Sequence, residues 1–343
     1  MRHLLNTLFI QTADCYLSLD GENVVILQGE ETLGRFPLHN LEAILCFSYK
    51  GASPALMGAC AERGVSLSFF TSKGRFLAQI RGAQSGNVLL RRKQYRVADD
   101  AAQSVEISRN FILGKVANCR QVLLRALRDH GPRLDAEALQ LAVGRLKADL
   151  PVIAACTDAE QLLGLEGNAS ACYFALFDML ILRQKEVFTF RGRSRRPPLD
   201  EANALLSLTY SLLARDCSAA LEAVGLDPYV GFLHRDRPGR ASLALDLMEE
   251  LRPICADRFI LTLINERIIR PEHFDRQDNG AVLLTENGRK ALFSAWQTRK
   301  QEEFQHPFLK EKIAWGLLPY IQALLLARCL RNDLDAYPPC FWR

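Results

Sequence analysis

The sequence predicts an α+β protein: a small β-rich domain over residues 1–84 followed by a large all-α domain over 85–343. Three observations carry that prediction. From Thr7 to Ile80, short runs rich in β-branched and aromatic residues (TLFIQT, CYLSL, NVVIL, EAILCF, VSLSFF, FLAQI) alternate with turn signals, as strands and their connections do. After Gly82 and the Gln84-Ser85-Gly86 stretch, the apolar residues recur with a helical period instead. The composition, 49% hydrophobic and 24% charged over 343 residues, is globular and long enough for more than one core. It excludes disordered and collagen-like chains.

Asp20-Gly21 between two strand runs is a tight hairpin signal. One helix interrupts the strands, with Ser53 as N-cap, Pro54 at its first position and a stop at Gly64. Helical segments are then expected over 88–98, 102–130, 135–149, 159–183, 199–224, 241–250, 254–270, 286–304 and 308–332. Thr157-x-x-Glu160 reads as a capping box opening the fourth, and Pro151, Pro253 and Pro271 as punctuation of helix ends. No fixed repeat period argues for a solenoid.

Ten scattered cysteines, with no pair two or four residues apart, read as reduced, buried thiols rather than a zinc or redox motif. The first apolar stretch, LLNTLFI, is too short and interrupted for a secretory signal, and Asp178 and Gln322 break the longest apolar runs. A soluble, cytoplasmic protein is expected. Phosphate-loop, dinucleotide-turn, zinc-helix and nucleophile-elbow templates are all absent from the sequence.

The strand-rich part is electrically balanced, seven basic residues (Arg2, Arg35, Lys50, Arg63, Lys73, Arg75, Arg81) against seven acidic ones through Arg81. Such a domain is expected to pack on something, and a homodimer held through it is the natural form. Positive charge lies elsewhere. Between 85 and 130, nine basic residues oppose four acidic ones, and Arg191, Arg193, Arg195 and Arg196 crowd a Gly/Ser/Pro loop. Those forks suit phosphate oxygens, although a basic run is also ordinary solvated surface.

Three places carry candidate chemistry. Glu166 lies between Gly164 and Gly167 at the expected mouth of an apolar helix, either stabilising the helix N-terminus or binding a metal. His234 ends the apolar run YVGFLH before Arg235, Arg237 and Arg240, and reads as a satisfied core histidine or a ligand. Ser242 can cap the following short helix, whose buried stripe is Leu243, Leu247 and Leu251. Asp246, Glu249 and Glu250 share one side of it, as a solvated face or as part of a metal site. Two carboxylates and an imidazole suit Mg2+ or Mn2+ better than zinc.

The segments LEGNASACYF, RGRSRRPPLDEANALLSLTYSLL, GLDPYVGFLHRDRPGRASLALDLMEELRP and the closing YPPCFWR resemble the CRISPR adaptation integrase family, in the version found with type I-C systems. The resemblance spans the whole chain. It implies a β-sheet domain joined to an α-helical catalytic domain, with Glu166, His234 and Glu249 as metal-binding and catalytic residues. Glu249 stands where the family often has Asp. Asp246 matches a further acidic position, as a ligand or as a group orienting a neighbour. The implied reaction is a metal-dependent transesterification, in which a DNA 3′-hydroxyl attacks repeat phosphodiesters. His234 would serve as ligand or proton shuttle. Arg191, Arg193, Arg195 and Arg196, with Arg235, Arg237 and Arg240, would hold duplex DNA. The implied partners are a second copy of the chain, a small companion adaptation protein and a CRISPR-associated exonuclease. A structure-selective DNA nuclease and a non-catalytic nucleic-acid scaffold, with the acids as mere surface charge, are the competing readings.

Overall fold

The computed structural model describes residues 6–71, 76–80, 82 and 88–342. Arg2, Lys73, Arg75, Arg81 and the Gln84–Gly86 stretch fall outside them. The chain forms two compact units, Met1–Ser85 with Leu283–Glu302, and Gly86–Val282 with Glu303–Arg343.

In the first unit, β2 (Cys15–Asp20), β3 (Asn23–Gln28) and β4 (Glu31–Pro37) form an antiparallel meander. The hairpin predicted at Asp20-Gly21 is there, with Asp20 paired to Asn23 and Gly21 in the left-handed region at φ 57°. A second sheet runs β1 (Thr7–Ile10), β5 (Ala43–Cys46), β6 (Ser66–Phe70) and β7 (Phe76–Gln79), parallel except for β7. Helix α1 (Pro54–Arg63) is the crossover between β5 and β6. Ser53 Oγ accepts from the Leu56 amide at 3.2 Å, and Gly64 closes the helix at φ 68°. Leu17, Val24, Ile44, Leu56 and Leu67 form the centre of this unit's core.

The single cut expected at 84/85 does not describe the units. Residues 286–304, expected among the catalytic helices, supply a helix to the strand-rich unit. Its Phe293 stacks on Phe9 at 4.6 Å and leans on Phe47 at 5.2 Å, a hydrophobic attachment that sequence distance hides.

The second unit is built on α3 (Ala101–His130), which follows α2 (Val88–Asp99) and is capped by Asp100. Packed against α3 are α4 (Ala136–Ala155), α5 (Ala159–Ala175) and α7 (Ser242–Leu251); α6 (Glu201–Ala223) lies against α7. A π-turn over Arg252–Asp257 leads into α8 (Arg258–Asn265), and the helix of the first unit, α9 (Glu286–Gln301), precedes α10 (Leu318–Leu330). Three local expectations are corrected. Asp158, not Thr157, caps α5. Pro151 sits inside α4 rather than ending it. The segment 308–332 is helical only from Leu318, after a hairpin pairing Glu303–Gln305 with Lys312–Ala314.

The ten cysteines are free of disulfides, eight of them buried. Among the described residues no helix is long and apolar enough to cross a membrane.

Candidate active site

Lys115, on the apolar stripe of α3 that includes Phe111, Cys119 and Val122, brings two of the three expected ligands together. Its ammonium donates to Glu166 of α5 and to Glu249 of α7, at 2.7 Å in the second case. Glu166 lies in mid-helix, not at a helix mouth, so it does no work for a helix N-terminus. Ser170, one turn on, donates to the same Glu166 oxygen at 2.7 Å. Arg252, where α7 ends, pairs with the other oxygen of Glu249 at 3.1 Å. Burial works against the Glu249 carboxylate, yet Arg252 and Lys115, helped by His234, hold its pKa down at about 2. Burial likewise disfavours the Lys115 ammonium, but Glu249 and Glu166 outweigh it and raise its pKa.

His234 lies in the loop before α7, close enough for its charge to act on Glu249. Asp246, fully buried, accepts from three consecutive backbone amides, Phe232 (2.7 Å), Leu233 (3.0 Å) and His234 (3.0 Å), and lies 2.6 Å from the His234 Nδ1. A nest of amides is a strong reason for a carboxylate to be buried. It also answers what Asp246 does here: it orients the imidazole through Nδ1. Ser242, expected as a cap, makes no capping bond and instead donates to the Arg235 carbonyl at 3.3 Å.

As placed, no three His, Cys, Asp or Glu side chains among the described residues form a metal cage. The chemistry of the donor set still fits a hard divalent ion: two carboxylates converge on one cationic atom, and an imidazole held by a carboxylate lies within electrostatic reach of one of them. Asp246, Glu249 and Glu250 are all buried, so the reading of the acids as solvated surface charge fails for α7. Glu250 has other partners. Its oxygens accept from Tyr337, from Gln322 at 2.9 Å and from the Cys340 amide at 2.7 Å. It therefore clasps the closing YPPCFW segment onto α7. Asn118 of α3 secures the same segment, donating to the Glu250 and Cys340 carbonyls at 2.8 Å each.

The arginines divide into two groups. Arg191, Arg195, Arg196, Arg235 and Arg237 are exposed. Arg193 turns inward, correcting its place among the exposed forks. It donates to Asn203 at 2.5 Å and lies over the Tyr210 ring at 5.1 Å. Arg252 lies over the same ring at 5.1 Å, and the Tyr210 hydroxyl donates to Asp257 at 2.5 Å. Arg240 is half-buried and folds back on the Arg235 carbonyl. Sequence reasoning counted Lys115 only as one more basic residue and passed over Arg252 and Tyr210. The available signal was polarity out of phase: a Lys and an Asn within the apolar stripe of α3.

The family model described as CRISPR associated protein Cas1 matches residues 8–298. Among curated relatives, the chain is 53% identical to a CRISPR-associated endonuclease Cas1 of Rhodospirillum rubrum and 49% identical to one of Chlorobaculum tepidum, each over the full length of both chains. It is 34% identical to a Cas4 exonuclease/Cas1 endonuclease fusion of Geobacter sulfurreducens, covering 96% of this chain and 59% of the fusion. Among solved structures, a Cas1 protein from Thermotoga maritima superposes with a TM-score of 0.77 at 21% identity, covering 95% of this chain and 97% of that one. A casposase bound to its integration product superposes with a TM-score of 0.80 at 21% identity, covering 98% and 94%. A chain of a Cas6-RT-Cas1–Cas2 complex gives 0.80 at 22% identity, covering all of this chain and 36% of that one. At these identities the structural likeness speaks for the fold.

Proposed function

The chain belongs to the Cas1 family of CRISPR-associated proteins, and from that premise we propose that it is a divalent-metal-dependent DNA endonuclease and integrase. It inserts new spacer DNA into a repeat array by attack of a 3′-hydroxyl on repeat phosphodiesters. The observation that carries this reading is the convergence of Glu166 and Glu249, from helices far apart in sequence, on one cationic atom, with an imidazole that Asp246 orients in electrostatic reach of Glu249.

Glu166, His234 and Glu249 would hold Mg2+ or Mn2+. Bound there, the ion supplies Lewis-acid polarisation of the scissile phosphate and charge to stabilise the leaving oxygen. The chain's own residues do the rest. Ser170 and Arg252 fix the two carboxylates, and Asp246 fixes the imidazole. The exposed Arg191, Arg195, Arg196, Arg235 and Arg237 grip flanking phosphates, which positions DNA without reading its sequence. Arg193 and Arg240, tied inward, brace the loops that carry the others. The partners proposed are a second copy of the chain and a small companion adaptation protein, in keeping with the Cas1–Cas2 assembly among the fold's neighbours. A CRISPR-associated exonuclease is proposed as well, in keeping with the natural Cas4–Cas1 fusion.

The test is strand joining and nicking on a branched or repeat-containing duplex with Mg2+, Mn2+ or EDTA, for the wild type and for Glu166→Ala, His234→Ala and Glu249→Ala. Loss of joining in EDTA and in each variant, with duplex binding retained, is the expected result. Joining that persists in EDTA or in Glu166→Ala protein overturns the metal mechanism. Metal-dependent nicking without joining makes the protein a structure-selective nuclease instead.

A further inference from the structure

We propose that Lys115 is a built-in rival of the divalent ion, and that its ammonium must leave the space between Glu166 and Glu249 for the metal to load, which makes metal loading depend on DNA. The proposal rests on the reading of Glu166 and Glu249 as metal ligands given above.

Charge balance is the first argument. Two carboxylates, Glu166 and Glu249, face two cations, Lys115 and Arg252, in direct ion pairs. The set is neutral as it stands. With the Lys115 ammonium displaced, a divalent ion beside the two carboxylates and Arg252 leaves one uncompensated positive charge in a largely buried place, where charge is costly unless paired. A DNA phosphodiester arriving at the same place brings the missing negative charge. Metal and DNA therefore each favour the other, and linkage makes that coupling reciprocal.

The second argument is which cation can yield. Arg252 is held by Glu249 on one side and lies over the Tyr210 ring. The backbone of α3 cannot shift to make room. At Gly114, next to Lys115, even a Cβ would come within 2.8 Å of Glu250 and 3.0 Å of Pro339, and Asn118 is bonded to the closing segment. What remains is the Lys115 side chain itself, a flexible four-carbon stem ending in a compact charge. Its route is set by exposure: the Glu166 side chain is 22% exposed, whereas that of Glu249 is 4% exposed. The ammonium thus swings out past Glu166, the side from which a phosphate would approach.

The experiment is Mn2+ binding to the full chain, by calorimetry or by the loss of the free-ion paramagnetic resonance signal, with and without a short duplex. Wild type, Lys115→Met, Lys115→Gln, Lys115→Arg and Glu166→Gln are compared, and folding is checked by thermal unfolding. Without DNA, Lys115→Met and Lys115→Gln should bind Mn2+ at least about tenfold more tightly than wild type, and DNA should then improve their affinity less. Lys115→Arg keeps the charge and grips carboxylates with a rigid fork, so it should bind Mn2+ more weakly than wild type. Should removal of Lys115 impair folding, the Arg variant alone decides. Equal or weaker Mn2+ binding in folded Met and Gln variants, or stronger binding in the Arg variant, overturns the proposal. If wild type and Glu166→Gln bind Mn2+ alike, or neither binds it even with DNA, the metal site itself is wrong and the rivalry falls with it.

Discussion

At the scale of single residues, the position of His234, the histidine proposed for the metal site, depends on a carboxylate that depends on a glycine. A Cβ at Gly231 would sit 2.8 Å from the Asp246 Oδ2 and the Ser242 Cβ, and 3.0 Å from the His234 carbonyl. None of these is the free end of a flexible side chain, since Asp246 is held by three amides. Gly231→Ala should therefore destabilise the fold by about 1–3 kcal/mol, as overpacking does. It should also displace Asp246 from His234. Asp246→Asn keeps the shape and removes the charge, and should lower metal affinity or joining by about 10- to 100-fold, as is typical when a ligand's supporting group is lost. Thermal unfolding and joining assays check both; full activity in either variant would show that His234 needs no such support. Local polarity drew attention to Glu166, His234 and Glu249 but left a structural reading open for each, and only the family resemblance singled them out as a set. Lys115 was not legible, because a lysine in a basic helix attracts no attention until the phase of the helix places it inside.

At the scale of elements, α7 is the piece whose character the sequence left open. Three acids in one turn suit water as well as they suit a core, and only the packing of α3, α6 and the closing segment around α7 decides for burial. That burial has a pH signature. It raises the Glu250 pKa from 4.5 to about 7 and the Asp257 pKa from 3.8 to about 6. Between the unfolded and folded values, the folded protein binds more protons than the unfolded chain. The stability these two groups contribute is thus complete below the unfolded values and is lost as pH rises through about 6–7. His306, whose pKa burial lowers from 6.5, acts in the opposite sense, as does Glu249 below pH 4.5. The difference between wild type and Glu250→Gln isolates the clasp. The stability advantage of wild type should shrink on going from pH 5.5 to pH 8 in thermal unfolding, and an advantage that stays level would mean that Glu250 is ionised throughout. The arginine loop gives a second prediction at this scale. Removing Arg191, Arg195 and Arg196 should flatten the log–log salt dependence of duplex binding by up to about 0.9 per lost phosphate contact. Arg193→Ala should leave that slope alone and impair joining, because Arg193 lies over Tyr210 rather than in solvent.

At the scale of the whole molecule, the order of a strand-rich part and a helical part was readable from hydrophobic period alone. The return of Leu283–Glu302 to the first unit was not, because α9 has the same helical pattern as its neighbours and its partners Phe9 and Phe47 are more than two hundred residues away in sequence. The first unit also bears on assembly. Among the described residues, strand β4 pairs only with β3, at the edge of the meander, and leaves Leu33 and Phe36 41% and 39% exposed. An apolar edge strand is a liability in a monomer and a ready surface for a partner. Nothing in the charge of residues 1–81, seven of each sign, repels a second copy. A homodimer joined through this unit is the expected state. Light scattering on the full chain at micromolar concentration should give twice the 38.6 kDa chain mass. Leu33→Glu combined with Phe36→Lys should shift the population toward monomer, with little change in thermal unfolding, since both side chains already face water in the single chain. A full-length wild-type monomer under those conditions would sink the assembly; a dimer untouched by the double substitution would move the interface off this edge.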